Sequence, residues 1–262
     1  MPALKILQLT DLHILPQAGD KMLGIDTEEY FQKTLAHAHA KHGQFDLILL
    51  TGDLGQDPTA DSYRRIFRHL QTYQTPCLCL PGNHDDLELM EAELHSDFVS
   101  CRKHLLLQNW QIIAINSQKC GSPVGLVSQE ELAFLAQTLR THKMPALVAI
   151  HHHCVLSQSS WMDTMRIENG EELLALAESF PQVKAITCGH LHQELQTTHK
   201  HIALFATPAS CFQFKPLATE FALDMLPPGY RIFELFDEGE LQSSCYRLPI
   251  SMHDLQTNVH GY

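Results

Sequence analysis

Basic residues are scarce in this chain: 18 Lys and Arg stand against 30 Asp and Glu, a formal net charge of −12 over 262 residues. A protein that tracks a nucleic-acid backbone needs a basic stripe along the phosphates, so the deficit argues against a polymer binder and a sequence-specific nuclease. It leaves room for a small anionic substrate, because bound cations reverse the local field of an acidic protein. The opening segment "MPALKILQLTDLHIL" lacks the basic start, long apolar stretch and small-residue cleavage site of a secretory signal. No apolar run is long enough to span a bilayer. These absences predict a cytoplasmic protein with no membrane partner. The eight cysteines form no Cys-x-x-Cys pair and fall mostly inside apolar runs such as "CLCLP" and "AITCGH". They read as reduced core residues rather than a disulfide framework. Repeats, low-complexity tracts and flexible linkers are also missing, so a single domain over 1–248 with a loose C-terminal tail over 249–262 is expected.

What the chain has in excess is histidine, 18 in all. Many are ordinary: His37, His39 and His42 lie in a predicted helix, and His253 and His260 in the polar tail. Only position can promote the others to ligands. Short apolar runs alternate with amphipathic segments, the mark of an α/β protein. "LKILQLT", "FDLILLTGD", "PCLCLPGNHDD", "WQIIAINS", "PALVAIHHH" and "VKAITCGHLH" read as six strands. Helices are expected at "DTEEYFQKTLAHAHAKHG", with Asp26 or Thr27 as cap and Gly43 as stop, and around "TADSYRRIFRHLQTY", "DLELMEAEL" and "GEELLALAESF". "SQEELAFLAQTLRTH" is a further helix, with Ser128 and Glu131 spaced as a capping box. "HIALFATP", "YRIFELF" and "LQSSCYRL" are strand-like.

Five of these strands end in side chains able to bind a metal: Asp11 and His13; Asp53; Asn83 and His84; His151 to His153; His190 and His192. Ligands of open α/β sheets gather beyond the carboxyl ends of the strands, so a shared site explains the pattern better than five separate turns. In extended backbone, residues i and i+2 share a face. Asp11 with His13, and His190 with His192, are thus expected to reach one metal together while Leu12 and Leu191 turn inward. Gly52, Gly82 and Gly189 stand beside the candidates, where a missing Cβ permits close approach. Oxygen and imidazole donors without thiolate suit Mn, Fe or Zn better than Ca or Mg. Singly, none of the motifs is diagnostic. The ordered set Asp-x-His, Gly-Asp, Gly-Asn-His-Asp, His-His, Gly-His-x-His is.

That set resembles the calcineurin-like metallophosphoesterase superfamily from Leu4 to about Leu248. "LQLTDLHI", "TGDLGQD", "LPGNHDD", "HHHCVLSQSSWMD", "CGHLHQEL" and "ATPASCFQFKP…PPGYRIFEL" are similar to the bacterial class III cyclic-AMP phosphodiesterases, with glycerophosphodiesterases as close competitors. The resemblance implies a four-layer α/β/β/α sandwich with two divalent metal ions at one edge. Asp11, His13 and His192 would hold the first and Asn83, His151 and His190 the second, with Asp53 bridging; His152 is the alternative to His151. Cys154 stands where the family tends to have proline. The implied reaction is hydrolysis of 3',5'-cyclic AMP to AMP by in-line attack of a metal-bound hydroxide. Asn83, His84 and His192 would contact the substrate. His84 would also assist the leaving oxygen as the catalytic acid, oriented by Asp57 or Asp85; Asp57 serves equally as a helix-start cap before Pro58. Trp161, Arg166 and Asn169 lie in the loop after the histidines, as base contacts or as a packed lid. A broader phosphodiesterase and a non-catalytic scaffold of the same fold are the competing readings; the complete ligand set speaks against the scaffold.

Overall fold

The computed structural model describes residues 3–259 and 261. In chain order the elements are β1 (Leu4–Leu9), α1 (Thr27–His42), β2 (Leu47–Thr51), α2 (Ala60–Gln71), β3 (Cys77–Leu80), α3 (Leu87–Glu93), β4 (Val99–Ser100), β5 (His104–Leu107), β6 (Trp110–Ile115), α4 (Gln129–Thr141), β7 (Ala146–Ile150), α5 (Gly170–Glu178), β8 (Val183–Cys188), β9 (Leu195–His199), β10 (Ile202–Ala206), β11 (Gln213–Phe214), β12 (Leu223–Asp224), β13 (Gly229–Leu235) and β14 (Leu241–Arg247). Two six-stranded sheets result, ordered β14-β13-β1-β2-β3-β4 and β5-β6-β7-β8-β10-β9. β1, β2, β3 and β4 run parallel, as do β6, β7, β8 and β10. Antiparallel β13–β14, β5 and β9 close the flanks.

The alternation of side chains along each central strand builds the layers. Ile6, Leu49 and Leu78 of the first sheet meet Ile112, Leu147 and Phe205 of the second in one dry cluster. The opposite faces go to helices. Leu7, Leu9, Ile48 and Leu50 pack on Phe31 and Leu35 of α1 and Tyr63 and Ile66 of α2. Val148 and Ile150 pack on Leu135 and Leu139 of α4 and Leu173 of α5. Strands buried on both faces read as continuous apolar runs, and the four-layer α/β/β/α sandwich follows from that burial.

Several local expectations change. Asp26 caps α1 through Glu29 N. At α4 Ser128 accepts from Glu131 N, but Glu131 does not return the bond; its carboxylate accepts from Asn116 N and Lys103 Nζ instead. The reciprocal box forms at α2, where Thr59 and Ser62 each bond the other's backbone. Asp57 is therefore no cap and is exposed. The segment after β14 is not loose: Met252 and Leu255 are buried in the core, and Gln256 N donates to Leu23 O. His260 lies outside the described residues.

Candidate metal centre

β1, β2, β3, β7 and β8 all end at one edge of the sandwich, and the seven candidate ligands leave them there. The extended-backbone argument for Asp11/His13 and His190/His192 fails in its geometry. β1 stops at Leu9 and β8 at Cys188. All four residues adopt left-handed backbone, φ 52°, 47°, 61° and 47°, as does Asp53 at 50°. Each such non-glycine residue costs on the order of 1 kcal/mol or more and persists only where its surroundings over-determine it. Leu12 and Leu191 are nevertheless buried, as expected. Two glycines let the loops close: a Cβ on Gly82 would run into the Asp53 carboxylate, and one on Gly189 into Thr10 and the Asp11 carboxylate.

The donors converge in two overlapping groups. In the first, His13 Nε2 is 3.2 Å from His192 Nε2, and His192 Nε2 is 3.3 Å from Asp11 Oδ1. In the second, His151 Nε2 lies 3.2 Å from Asn83 Oδ1, and its ring centroid is 5.1 Å from that of His190. Asp53 stands between them, with Oδ2 3.8 Å from His13 Nε2 and 3.3 Å from His151 Nε2. Its Oδ1 accepts from the His84 amide at 2.9 Å. Asp11 accepts from the His190 amide at 3.0 Å.

The outer ring nitrogens fix the tautomers. His13 Nδ1 donates to Gln56 Oε1 (2.6 Å), His151 Nδ1 to Thr51 O (2.8 Å) and His192 Nδ1 to Phe212 O (2.9 Å). Each ring thereby turns Nε2 to the interior, where it can offer a lone pair to a cation, the arrangement of metal-binding histidines. Two lone pairs 3.2 Å apart repel unless a cation lies between them. His152 Nε2 and His190 Nε2 are buried without a hydrogen-bond partner among the described residues, and with His151 they form a ligand-spaced group. The donor set fits two cations.

Electrostatics divide the rings into three that are held neutral and one, His151, whose Nε2 proton a cation would have to displace. Burial drives His13 down to about 3 against the pull of Asp53, leaving it neutral. Burial, helped by neighbouring imidazoles, also holds His152 and His190 well below the usual histidine range. At His151 burial is outweighed by the Asp53 carboxylate, which lifts it to about 9. Burial raises Asp11 and Asp53, but His192 and His151 respectively outweigh it and keep both carboxyls low and ionised.

Both members of the histidine register question stand in the site, in different roles. His151 faces Asn83 and Asp53, whereas His152 Nδ1 pairs with Ser117 Oγ at 2.7 Å. His84 borders the cavity above the cluster. Neither proposed carboxylate orients it: Nδ1 donates to the Gln56 carbonyl at 3.2 Å. Asp85 instead accepts from Leu54 N, Gly55 N, Gly82 N and Tyr63 Oη, tying the two ligand loops together. Burial, reinforced by Asp53, pushes its carboxyl up to about 6. Asn169 pins the start of α5 to Val127, and Arg166 is exposed, so neither faces the site. Trp161 does line the cavity.

Sequence reasoning missed Gln56, which bonds both His13 and His84, and Cys211, whose sulfur lies at ligand distance from His13 and His192. Burial keeps the Cys211 thiol protonated, its pKa well above the usual value. Both residues sit inside quoted motifs, but nothing in their identity marks them.

The calcineurin-like phosphoesterase family matches residues 4–194. The 3',5'-cyclic adenosine monophosphate phosphodiesterase CpdA of Haemophilus influenzae is 36% identical over 249 residues, covering 94% of this chain and 91% of that protein. A 3',5'-cyclic-nucleotide phosphodiesterase of Nostoc is 33% identical, covering 95% and 94%. Among solved structures, a dimetal phosphatase from Danio rerio superposes with a TM-score of 0.63 at 12% identity, covering 89% of this chain and 95% of that one, a likeness of fold.

Proposed function

We propose that this chain, which belongs to the calcineurin-like phosphoesterase family, is a metal-dependent phosphodiesterase that hydrolyses 3',5'-cyclic AMP to AMP. The carrying observation is the convergence of Asp11, His13, Asp53, Asn83, His151, His190 and His192, with three Nε2 atoms directed inward by outward Nδ1–H bonds. Relatives named as cyclic-AMP phosphodiesterases, 36% identical over nearly the whole chain, support the substrate.

Asp11, His13 and His192 would hold one cation and Asn83, His151 and His190 the other, with Asp53 shared. Bound there, two divalent cations would neutralise phosphate oxygens and make a water nucleophilic at neutral pH. The nitrogen and oxygen donors favour Fe, Mn or Zn. Asp53 has one carboxylate between the two histidine groups, so its charge offsets both sites at once. His84 uses Nδ1–H on a carbonyl, which cannot donate in return. When the ring is protonated, its Nε2–H can pass a proton to O3' as the P–O3' bond breaks. The water oxygen stays on phosphorus, one of its protons replaces the one His84 gave up, the other goes to solvent, and AMP leaves. Asn83 lines the same cavity, and with His192 it would complete the contacts to the phosphate. Free thiols at all eight cysteines suit a reducing compartment and support a cytoplasmic enzyme. Among the described residues no helix is long and apolar enough to cross a membrane.

The test is steady-state hydrolysis of cyclic AMP by metal-stripped protein reloaded with manganese, beside a glycerophosphodiester and a chromogenic phosphodiester. A higher kcat/KM for cyclic AMP, abolished by chelator, is expected. Equal or better turnover of the glycerophosphodiester would overturn the substrate assignment while leaving the metal centre standing. Asp53→Ala is expected to lose both metal and activity; a metal-free, fully active variant would refute the two-cation mechanism.

A further inference from the structure

The cavity at the metal centre does not stop at the ligands. One space of about 700 Å³ runs from Asp53, Asn83 and His84 to a wall formed by Trp161, Phe214 and Phe221, a size typical of small-molecule sites. The far wall consists of flat rings in edge-to-face contact: Trp161 meets Phe214 at 5.0 Å and Phe221 at 5.4 Å between centroids. Phe214 in turn stacks on His192 at 4.2 Å and 22°. The ligand cluster and the aromatic wall are thus packed as one unit. Trp161 Nε1 is buried and has no hydrogen-bond partner among the described residues. With that atom enclosed by protein, Trp161 offers the cavity its ring rather than its N–H.

We infer that this aromatic end is the nucleobase subsite, where the purine packs against Trp161, Phe214 and Phe221. The inference rests on the phosphodiesterase reading above and deepens it, because it says what distinguishes a cyclic nucleotide from other diesters. A purine has two π-faces for the aromatic wall, and stacking of this kind is worth roughly 5- to 100-fold in affinity. The alcohol groups of a glycerophosphodiester have no such face and no stack to gain. The metals treat the two phosphates alike, so discrimination has to come from the far end of the cavity.

Two measurements on the manganese-loaded enzyme test this. In steady-state kinetics, Trp161→Ala is expected to lose at least tenfold more kcat/KM on cyclic AMP than on glycerophosphoethanolamine, chiefly through KM. Trp161→Phe, which keeps a smaller ring, should fall between wild type and Trp161→Ala. Equal losses on the two substrates would overturn the subsite. The second readout is tryptophan emission during titration with AMP, which needs no turnover. The other tryptophan, Trp110, is buried in the core with Nε1 on Phe236 O, so saturable quenching is expected in wild type and not in Trp161→Phe. This separates the two failures. Quenching without cyclic-AMP hydrolysis keeps the subsite and rejects the reaction; hydrolysis with quenching unchanged in Trp161→Phe keeps the reaction and rejects the subsite.

Discussion

Single histidines in this chain are sorted by where their Nδ1 protons go and what Nε2 then meets. His84 donates from Nδ1 to Gln56 O, and its backbone amide, which a substitution of the side chain leaves in place, donates to Asp53. His84→Ala therefore keeps the metal scaffold: metal content should be unchanged by elemental analysis while kcat falls about 10²–10⁴-fold, the usual contribution of a general acid. A variant that loses its metals would show the ring to be structural. His39 has the same outward bond, Nδ1–H to Leu35 O, but its Nε2 is buried without a partner among the described residues, against stacked Tyr73. Burial lowers its pKa, only partly opposed by that carbonyl. The unfolded ring takes up its proton near 6.5 and the folded ring only at lower pH. Between those values the unfolded state binds more protons, so stability falls as the pH drops. His39→Phe should flatten the decline in Tm between about pH 7 and 5; an unchanged slope would assign the decline to other groups. No composition rule separates His39 from His84. Placement after a strand does, and that much was legible, whereas the orienting partner of His84 is a backbone carbonyl, which no side-chain type announces.

At the scale of elements, the inter-sheet face of β1 carries one polar residue, Gln8, and both halves of its amide are used twice. Nε2 donates to Thr51 Oγ1 and Cys188 O; Oε1 accepts from Thr187 Oγ1 and Thr207 Oγ1. β1, β2, β8 and the end of β10 are thereby fastened together directly beneath the ligand loops. Gln8→Leu would leave buried hydroxyls unpaired, and a loss of about 1–3 kcal/mol is expected from urea unfolding; an unchanged midpoint would mean the hydroxyls re-pair. The long elements around this clamp were readable because their strands are apolar on both faces and their helices amphipathic. The short ones were not. β4, β11 and β12 have two residues each, and β9 (Leu195–His199) exposes Gln196, Thr197 and Thr198, so neither length nor periodicity gives a signal. β5, four partly exposed residues at the other flank, escaped for the same reason.

For the whole molecule, the decisive fact is that the proposed ligands come from both sheets: Asp11, His13, Asp53 and Asn83 from the first, His151, His190 and His192 from the second. Cation binding is then linked to docking of the sheets. At a hundredfold excess over Kd, a cation bound only by the folded state adds about 2.7 kcal/mol, or about 5–10 °C in Tm for a chain of this size. Chelator should reverse that rise, and a Tm indifferent to metal would mean that the folded state binds no cation in preference to the unfolded chain. The same topology sets a timetable. β1 runs beside β13, with Leu4 opposite Leu235, so the first strand made waits for one of the last. At about 5–20 residues per second, roughly 230 residues of further synthesis take on the order of 10–50 s. Through that interval the nascent chain has an open apolar strand edge, the kind that invites mispairing. The second sheet, whose strands lie between residues 104 and 206, can form on the ribosome well before the first is whole. The parallel strands β1–β4 thus wait, with one edge unpaired, until the hairpin of β13 and β14 is made.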